Sequence, residues 1–324
     1  MKLTTIVFAI LFSCTLYIGV FLFLVDKPLT IGSIGGIFEK KYDYLESITG
    51  NKLIILAGSN GRFSHRCETY EQVTNSGLPC ANLSVTANLS LDYQFDLLTP
   101  YLEPGDIVYL PLEYGALAGD REQMRSGVEL PYVVSNDHEY LFQMSVDRLL
   151  DALFYFDLRY FFSGLGEMTL QTLGIQRRFN LDTLTKQGDE STHTPEKGLV
   201  YRDMLMTTKW EPPGEEDFSE GSYKANIVSD FLKWAKENNV SVVGGLPTTF
   251  DDQPIPETLV LSICEFFKRN GQDFLLFENR NQYPRENFFD TPYHLLETYQ
   301  IEHTKLITAR LDDMLLNKQS MACK

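Results

Sequence analysis

Leu53-Ile54-Ile55-Leu56-Ala57-Gly58-Ser59-Asn60-Gly61 decides how the chain folds. A run of five apolar residues is too short for a buried helix and is not polar at alternate positions. It therefore reads as a strand, Lys52 to Ala57, buried on both faces, and Gly58 to Gly61 as the turn that ends it. A strand with both faces buried needs parallel neighbours and helices above and below.

Working outward, the same alternation recurs. Residues 66–76 read as a short helix and Cys80 to Val85 as a second strand. Residues 90–102 read as a helix, with Leu91, Phe95, Leu98 and Leu102 on one face. Pro104-Gly105-Asp106 is a turn before a third strand, Ile107 to Leu112. Later come a helix at 223–238, a strand from Val240 to Leu246, a helix at 255–269, a strand at 273–277 and a helix at 295–316. Strands separated by helices specify an α/β fold with a parallel sheet, here a doubly wound, flavodoxin-like one of five strands. The alternation is interrupted at 115–222, read as a helical and loop insertion. Its first half is rich in aromatics, among them Tyr140, Phe154, Tyr160 and Phe162; its polar second half, about 183–222, is expected to be mobile loop.

From Thr5 to Val25 no residue is charged, and at about 1.5 Å per residue such a helix matches a hydrocarbon core of roughly 30 Å. A cleaved signal peptide is the competing reading, but the run ends Phe-Leu-Val-Asp-Lys with no Ala-x-Ala pattern. The expected organisation is an anchor at 1–28, a linker with a short lead-in helix at 29–50, and an α/β domain at 51–324. Lys2 favours an inside N-terminus, which places the main domain outside the cytoplasm.

The chain of 324 residues carries 28 Lys and Arg against 44 Asp and Glu, a net charge of −16. That balance argues against nucleic acid as a partner. None of the five cysteines has metal-site spacing, and no phosphate-binding glycine motif or clustered metal ligands appear, so no cofactor is expected. Cys67 and Cys80 are close enough to pair in an oxidising compartment, or they are two unrelated buried thiols.

In an open parallel sheet, ligands bind beyond the carboxyl ends of the strands. There the sequence places Ser59, Asn82, Ser84, Asn88, Glu113, Thr248, Asp290 and His294. Ser59, in a glycine-flanked turn, suits a nucleophile, because a hydroxyl must protrude and must meet a base. The helix after it would aim N–H groups at an oxyanion. His294 would be the base and Asp290 would orient it. The plainer readings are that Ser59 caps the next helix and that Asp290 and His294 cap another.

Leu-Ile-Ile-Leu-Ala-Gly-Ser59-Asn60, Asn82-Leu-Ser84, Leu-x-Pro-Gly-Asp-Ile-Val and Phe-Phe-Asp290-Thr-Pro-Tyr-His294-Leu together resemble the SGNH (GDSL-like) hydrolase superfamily. Within it the chain is similar to the membrane-anchored bacterial branch of alginate O-acetylation and lipoteichoic-acid D-alanylation proteins. The resemblance covers roughly 50–114 and 223–318. It implies Ser59 as nucleophile, His294 as base, Asp290 as its partner, and the main chain of Ser84 as an oxyanion donor. It also implies a single-pass inner-membrane protein with a periplasmic domain. Two departures stand out. Thr291 occupies the family's usual aspartate position, and Glu113 falls near its oxyanion asparagine. A carboxylate cannot donate, so Asn60 or Asn88 would have to substitute.

Two functions follow. One is acyl transfer or ester hydrolysis through Ser59 on a cell-surface polysaccharide or wall polymer, with a membrane-bound O-acyltransferase as a partner supplying the acyl group. The other is a catalytically degenerate binding or assembly protein of such a polysaccharide system.

Overall fold

The structure is a computed structural model and describes residues 3–27, 32–119, 128–155, 158–175, 181–211, 214, 218–317 and 323. The apolar runs pair side by side. Strands β1 (Leu53–Ile55), β2 (Cys80–Asn82), β3 (Ile107–Leu110), β4 (Ser241–Gly245) and β6 (Asp273–Leu275) form one parallel sheet in the order β2-β1-β3-β4-β6. Leu53 stands opposite both Cys80 and Ile107, Ile107 opposite Ser241, and Val243 opposite Asp273. Two short strands not foreseen from the sequence, β5 (Thr249–Phe250) and β7 (Gln282–Tyr283), make a separate parallel pair.

The helices, in chain order, are α1 (Leu3–Leu24), α2 (Gly32–Ser47), α3 (Ser59–Ser64), α4 (Cys67–Val73) and α5 (Leu91–Leu98), then α6 (Glu129–Asn136), α7 (His138–Gln143), α8 (Val146–Tyr155) and α9 (Leu158–Thr172), then α10 (Pro195–Gly198), α11 (Arg202–Thr207), α12 (Tyr223–Glu237), α13 (Glu257–Arg269) and α14 (Glu297–Asn317). Alternate residues of the strands serve two cores. Ile54, Val108 and Val242 pack with Phe95 of α5, Leu232 of α12 and Ile263 of α13. Leu53, Ile55, Ile107 and Val243 pack with Tyr70 of α4 and Ile307 and Leu311 of α14. Burial on both faces explains why the strands are apolar throughout rather than alternating.

The sheet's amino-terminal edge is fixed by an ion pair out of reach of solvent. Lys52 Nζ donates to Asp106 Oδ2 at 2.7 Å, and the N–H groups of Lys52 and Glu103 donate to the same carboxylate. The side chains are 4% and 0% exposed. Gly105, at φ +96, makes the turn into β3 that sets Asp106 facing Lys52, and a side chain there would collide with Asn51.

The chain divides into two compact units, residues 1–36 with 122–180, and 37–121 with 181–324. The sheet belongs to the second. The first unit is helical. Its α1 is 22 residues long and free of charge, long and apolar enough to cross a membrane. A buried ion pair between Arg148 and Glu129 ties α8 to α6, with Arg148 also donating to Tyr140 Oη at 3.0 Å.

Three expectations need correction. The stretch 29–50 is more helix than linker, since α2 occupies Gly32–Ser47. The insertion is not one body: 122–180 belongs to the helical unit and 181–222 to the sheet unit. Nor is 183–222 loose loop, although residues 212, 213 and 215–217 lie outside the described residues. Asp189 is buried and accepts from the N–H groups of Cys67 and Glu68 and from Asn82 Nδ2. Lys41 Nζ, also buried, donates to the carbonyls of Asn82 and Gly188. Polar composition misled because these groups hydrogen-bond main chain inside the fold.

Cys67 and Cys80 are disulfide-bonded, joining α4 to β2. A second disulfide, unforeseen from spacing, joins Cys264 of α13 to Cys323, 59 residues on. Removing the partner of a buried charge leaves the other uncompensated, so Asp106→Ala should lower unfolding free energy by about 3–5 kcal/mol. Arg269→Ala, which breaks a half-exposed pair with Glu220, should change it by less than about 1 kcal/mol. Chemical denaturation of the two variants checks the contrast.

Candidate functional site

Parallel strands point all their carboxyl ends to one edge, and the candidate residues gather there. β1 ends in the Gly58-Ser59 turn and Ser59 opens α3. Gly58 is dictated by space: a Cβ there would lie 2.5 Å from Glu113 Oε1 and 2.6 Å from the main-chain nitrogen of Ala87. Ser59 is half-buried, and among the described residues its hydroxyl has no hydrogen-bond partner. The capping position of α3 is held by Gly58 and not by Ser59, which removes the plain capping reading.

Asp290 and His294 come together as the sequence suggested. His294 Nδ1 lies 2.6 Å from Asp290 Oδ1. The spacing of four is closed by a tight reversal. Phe289 N–H donates to the His294 carbonyl at 2.7 Å, and Phe288 bridges antiparallel to Leu295. An ionised Asp290 only accepts, so Nδ1 carries the imidazole proton and Nε2 is left as the acceptor.

α3 holds this loop in place. Phe63, one turn beyond Ser59, stacks on the His294 ring at 4.1 Å between centroids and 15° between planes. Ser64 Oγ donates to the Tyr293 carbonyl at 2.9 Å, and Leu295 N–H donates to Ser64 Oγ. Residues four apart share a helix face, so Phe63, the residue on which His294 stacks, lies on the side of α3 that begins at Ser59. Among the described residues Ser59 and His294 share no hydrogen bond.

The oxyanion arrangement differs from expectation. Glu113 follows β3 and is buried; its Oε2 accepts from Gly58 N–H at 3.0 Å and its Oε1 from Asn60 N–H at 2.9 Å. Two N–H groups flanking Ser59 thus turn inward to a carboxylate instead of toward a ligand. Burial raises the Glu113 pKa; the N–H donors and His294 oppose that rise. Asn60 is consumed by structure: its Nδ2 donates to the Pro111 carbonyl and its Oδ1 accepts from Thr248 N–H and Oγ1. Ser84 N–H donates to Asn82 Oδ1, while Ser84 Oγ accepts from Ala57 N–H. Both residues are fully buried with these groups already engaged. Asn88 is exposed, in the loop that Gly58 meets at Ala87. It and the N–H of Ser59 are donors that Glu113 does not take.

His193 was overlooked. The sequence puts it in a polar segment, and only the fold brings it here: buried, edge-on to Phe63 at 5.3 Å and to Phe289 at 5.9 Å, with its carbonyl accepting from Glu297 N–H. Burial first, and then the charge of His294, push its pKa down to about 3. Phe63, at i+4 from Ser59, was legible in principle and was missed. Among the described residues no cluster of His, Cys, Asp and Glu could hold a metal ion.

No protein-family model matches the chain, and no curated protein does. A solved structure to which it is similar is that of protein YxiM from Bacillus subtilis, at 7% identity and a TM-score of 0.39. The match covers 84% of this chain and 59% of that one, so the chain spans about three fifths of that structure's length. A likeness of this depth carries no argument about activity.

A histidine held neutral in the fold binds fewer protons there than when unfolded. For His193 the contribution to stability is present above the unfolded value near 6.5 and is lost as pH falls toward about 3. Across that window each such histidine should tilt unfolding free energy by about 1.4 kcal/mol per pH unit. Comparing the pH dependence of urea denaturation of the wild-type chain with that of His193→Gln should show a shallower acid slope in the variant.

Proposed function

We propose that the sheet unit is an SGNH-like, doubly wound domain that performs acyl transfer or ester hydrolysis through Ser59. The observation that carries this reading is the His294–Asp290 contact of 2.6 Å, with the His294 ring stacked on Phe63, one turn of α3 beyond Ser59. The strand order, with β1 between β2 and β3, is the order expected of such a sheet. In the proposed reaction His294 Nε2 takes the Ser59 proton as Oγ attacks the ester carbonyl. The imidazolium, steadied by Asp290, then protonates the departing alcohol. Water or a sugar hydroxyl, deprotonated by the same nitrogen, releases the acyl group from Ser59. Ser59 N–H and Asn88 are the donors proposed for the oxyanion.

The proposed setting is an inner membrane, with α1 as a single-pass anchor and the sheet unit in the periplasm. Two disulfides in the sheet unit favour an oxidising compartment. A cell-surface polysaccharide or wall polymer is the proposed acceptor, and a membrane-bound O-acyltransferase the proposed partner that supplies the acyl group.

A second reading is favoured by Glu113. A carboxylate that captures the N–H groups of Gly58 and Asn60 suits a frame kept for binding polysaccharide without chemistry. The two readings part on one residue. If the chain is an enzyme, a serine-reactive phosphonate labels the wild type, Ser59→Ala abolishes the labelling, and thermal stability stays nearly unchanged. Absence of wild-type labelling, or labelling that survives Ser59→Ala, sinks the enzyme reading in favour of the binding one.

A further inference from the structure

The helical unit exposes more apolar surface than an anchor alone accounts for. On α8, Val146, Leu150 and Phe154 recur every four residues, so they form one stripe. On α9, Leu158, Phe162 and Leu165, spaced by four and then three residues, form another. Phe154 is 78% exposed, Leu158 71% and Phe162 65%. Scattered apolar side chains on a surface need no explanation, but two aligned stripes on consecutive helices do. The opposite side of α8 is built differently, with Arg148 buried against Glu129 and Tyr140. Asp147 and Asp151 stand off the stripe on α8, and Arg159 and Glu167 off the stripe on α9.

What covers these stripes is indicated by their place along α1. At the end of α1, Asp26 N–H donates to the Val134 carbonyl at 2.9 Å and Asp26 Oδ1 lies 2.6 Å from His138 Nδ1. This is a polar level, suited to a membrane surface. Further back, Tyr17 Oη donates to the carbonyl of Leu153 at 2.5 Å. Tyr17 lies seven residues before Leu24, about 10 Å along the helix axis. From α7 to the end of α8, then, the chain descends alongside α1 from its polar end toward its apolar middle. α9 also packs on α1. The helices that carry the stripes are thus packed along α1, at depths where an anchored helix meets acyl chains rather than water.

We propose that α8 and α9 form a second membrane contact, an amphipathic pair whose Val146–Phe154 and Leu158–Leu165 stripes lie in the acyl boundary of the bilayer that α1 spans. This rests on the anchor reading of α1. The charged residues off the stripes then face the headgroups, and the buried Arg148–Glu129 pair braces the side away from lipid.

The test uses the full chain in phosphatidylethanolamine–phosphatidylglycerol vesicles, with Cys14→Ser and single spin labels at Phe154→Cys, Phe162→Cys, Phe12→Cys and Val73→Cys. Collision of each label with oxygen, which concentrates in lipid, and with a water-soluble nickel chelate is compared. The proposal expects oxygen to dominate at 154 and 162, the reverse of the order at 73 on the sheet unit. Dominance of the chelate at 154 and 162 overturns it in favour of a water-exposed hairpin. Protection from both reagents overturns it in favour of a protein partner on those stripes. The label at 12 judges the anchor separately. Oxygen dominance there with chelate dominance at 154 leaves the anchor standing and removes only the second contact.

Discussion

The carboxylate of Glu113 is the constraint around which the candidate site is arranged. It reaches from the end of β3 to the turn after β1 and accepts the two N–H groups on either side of Ser59. A strand end and a helix start are thereby locked at one angle, with no room for a side chain at Gly58. The chain of bonds continues outward. Asn60 fixes Thr248 beyond β4, the Thr248 and Ser64 hydroxyl oxygens lie 2.7 Å apart, and Ser64 holds the backbone on both sides of His294. Four segments far apart in sequence thus converge through groups that are buried and hydrogen-bonded, the condition under which such groups stabilise rather than cost.

That arrangement cuts both ways for chemistry. It gives Ser59 and the His294 loop a rigid common platform, as precise acyl transfer demands. It also spends on a carboxylate the N–H groups that would otherwise face an oxyanion. The neutral state imposed on His193 leaves His294 as the histidine of this corner with a carboxylate beside it and a free second nitrogen.

The strands were legible because a strand buried on both faces is a continuous apolar run, and Lys52–Ala57, Ile107–Leu112 and Val240–Leu246 each contain the strand observed. Asp290 and His294 were legible because their partnership is local, closed by a reversal of a few residues. Asn60 was misjudged because its partners, Pro111 and Thr248, belong to other stretches of chain that sequence does not place; Ser84 was misjudged because its N–H is taken locally by the Asn82 side chain. Residues 183–193 were misjudged because their partners lie elsewhere in the sequence: Asp189 and Gly188 look like surface composition, yet Cys67, Glu68, Asn82 and Lys41 draw them inside.

The bond between Cys264 and Cys323 encloses β6, β7, the Asp290–His294 loop and α14 in a covalent ring of the chain. Tension applied beyond Cys323 would pass through sulfur into α13 and leave the ring slack. The imidazole is thus mechanically insulated from whatever pulls on the chain downstream of Cys323.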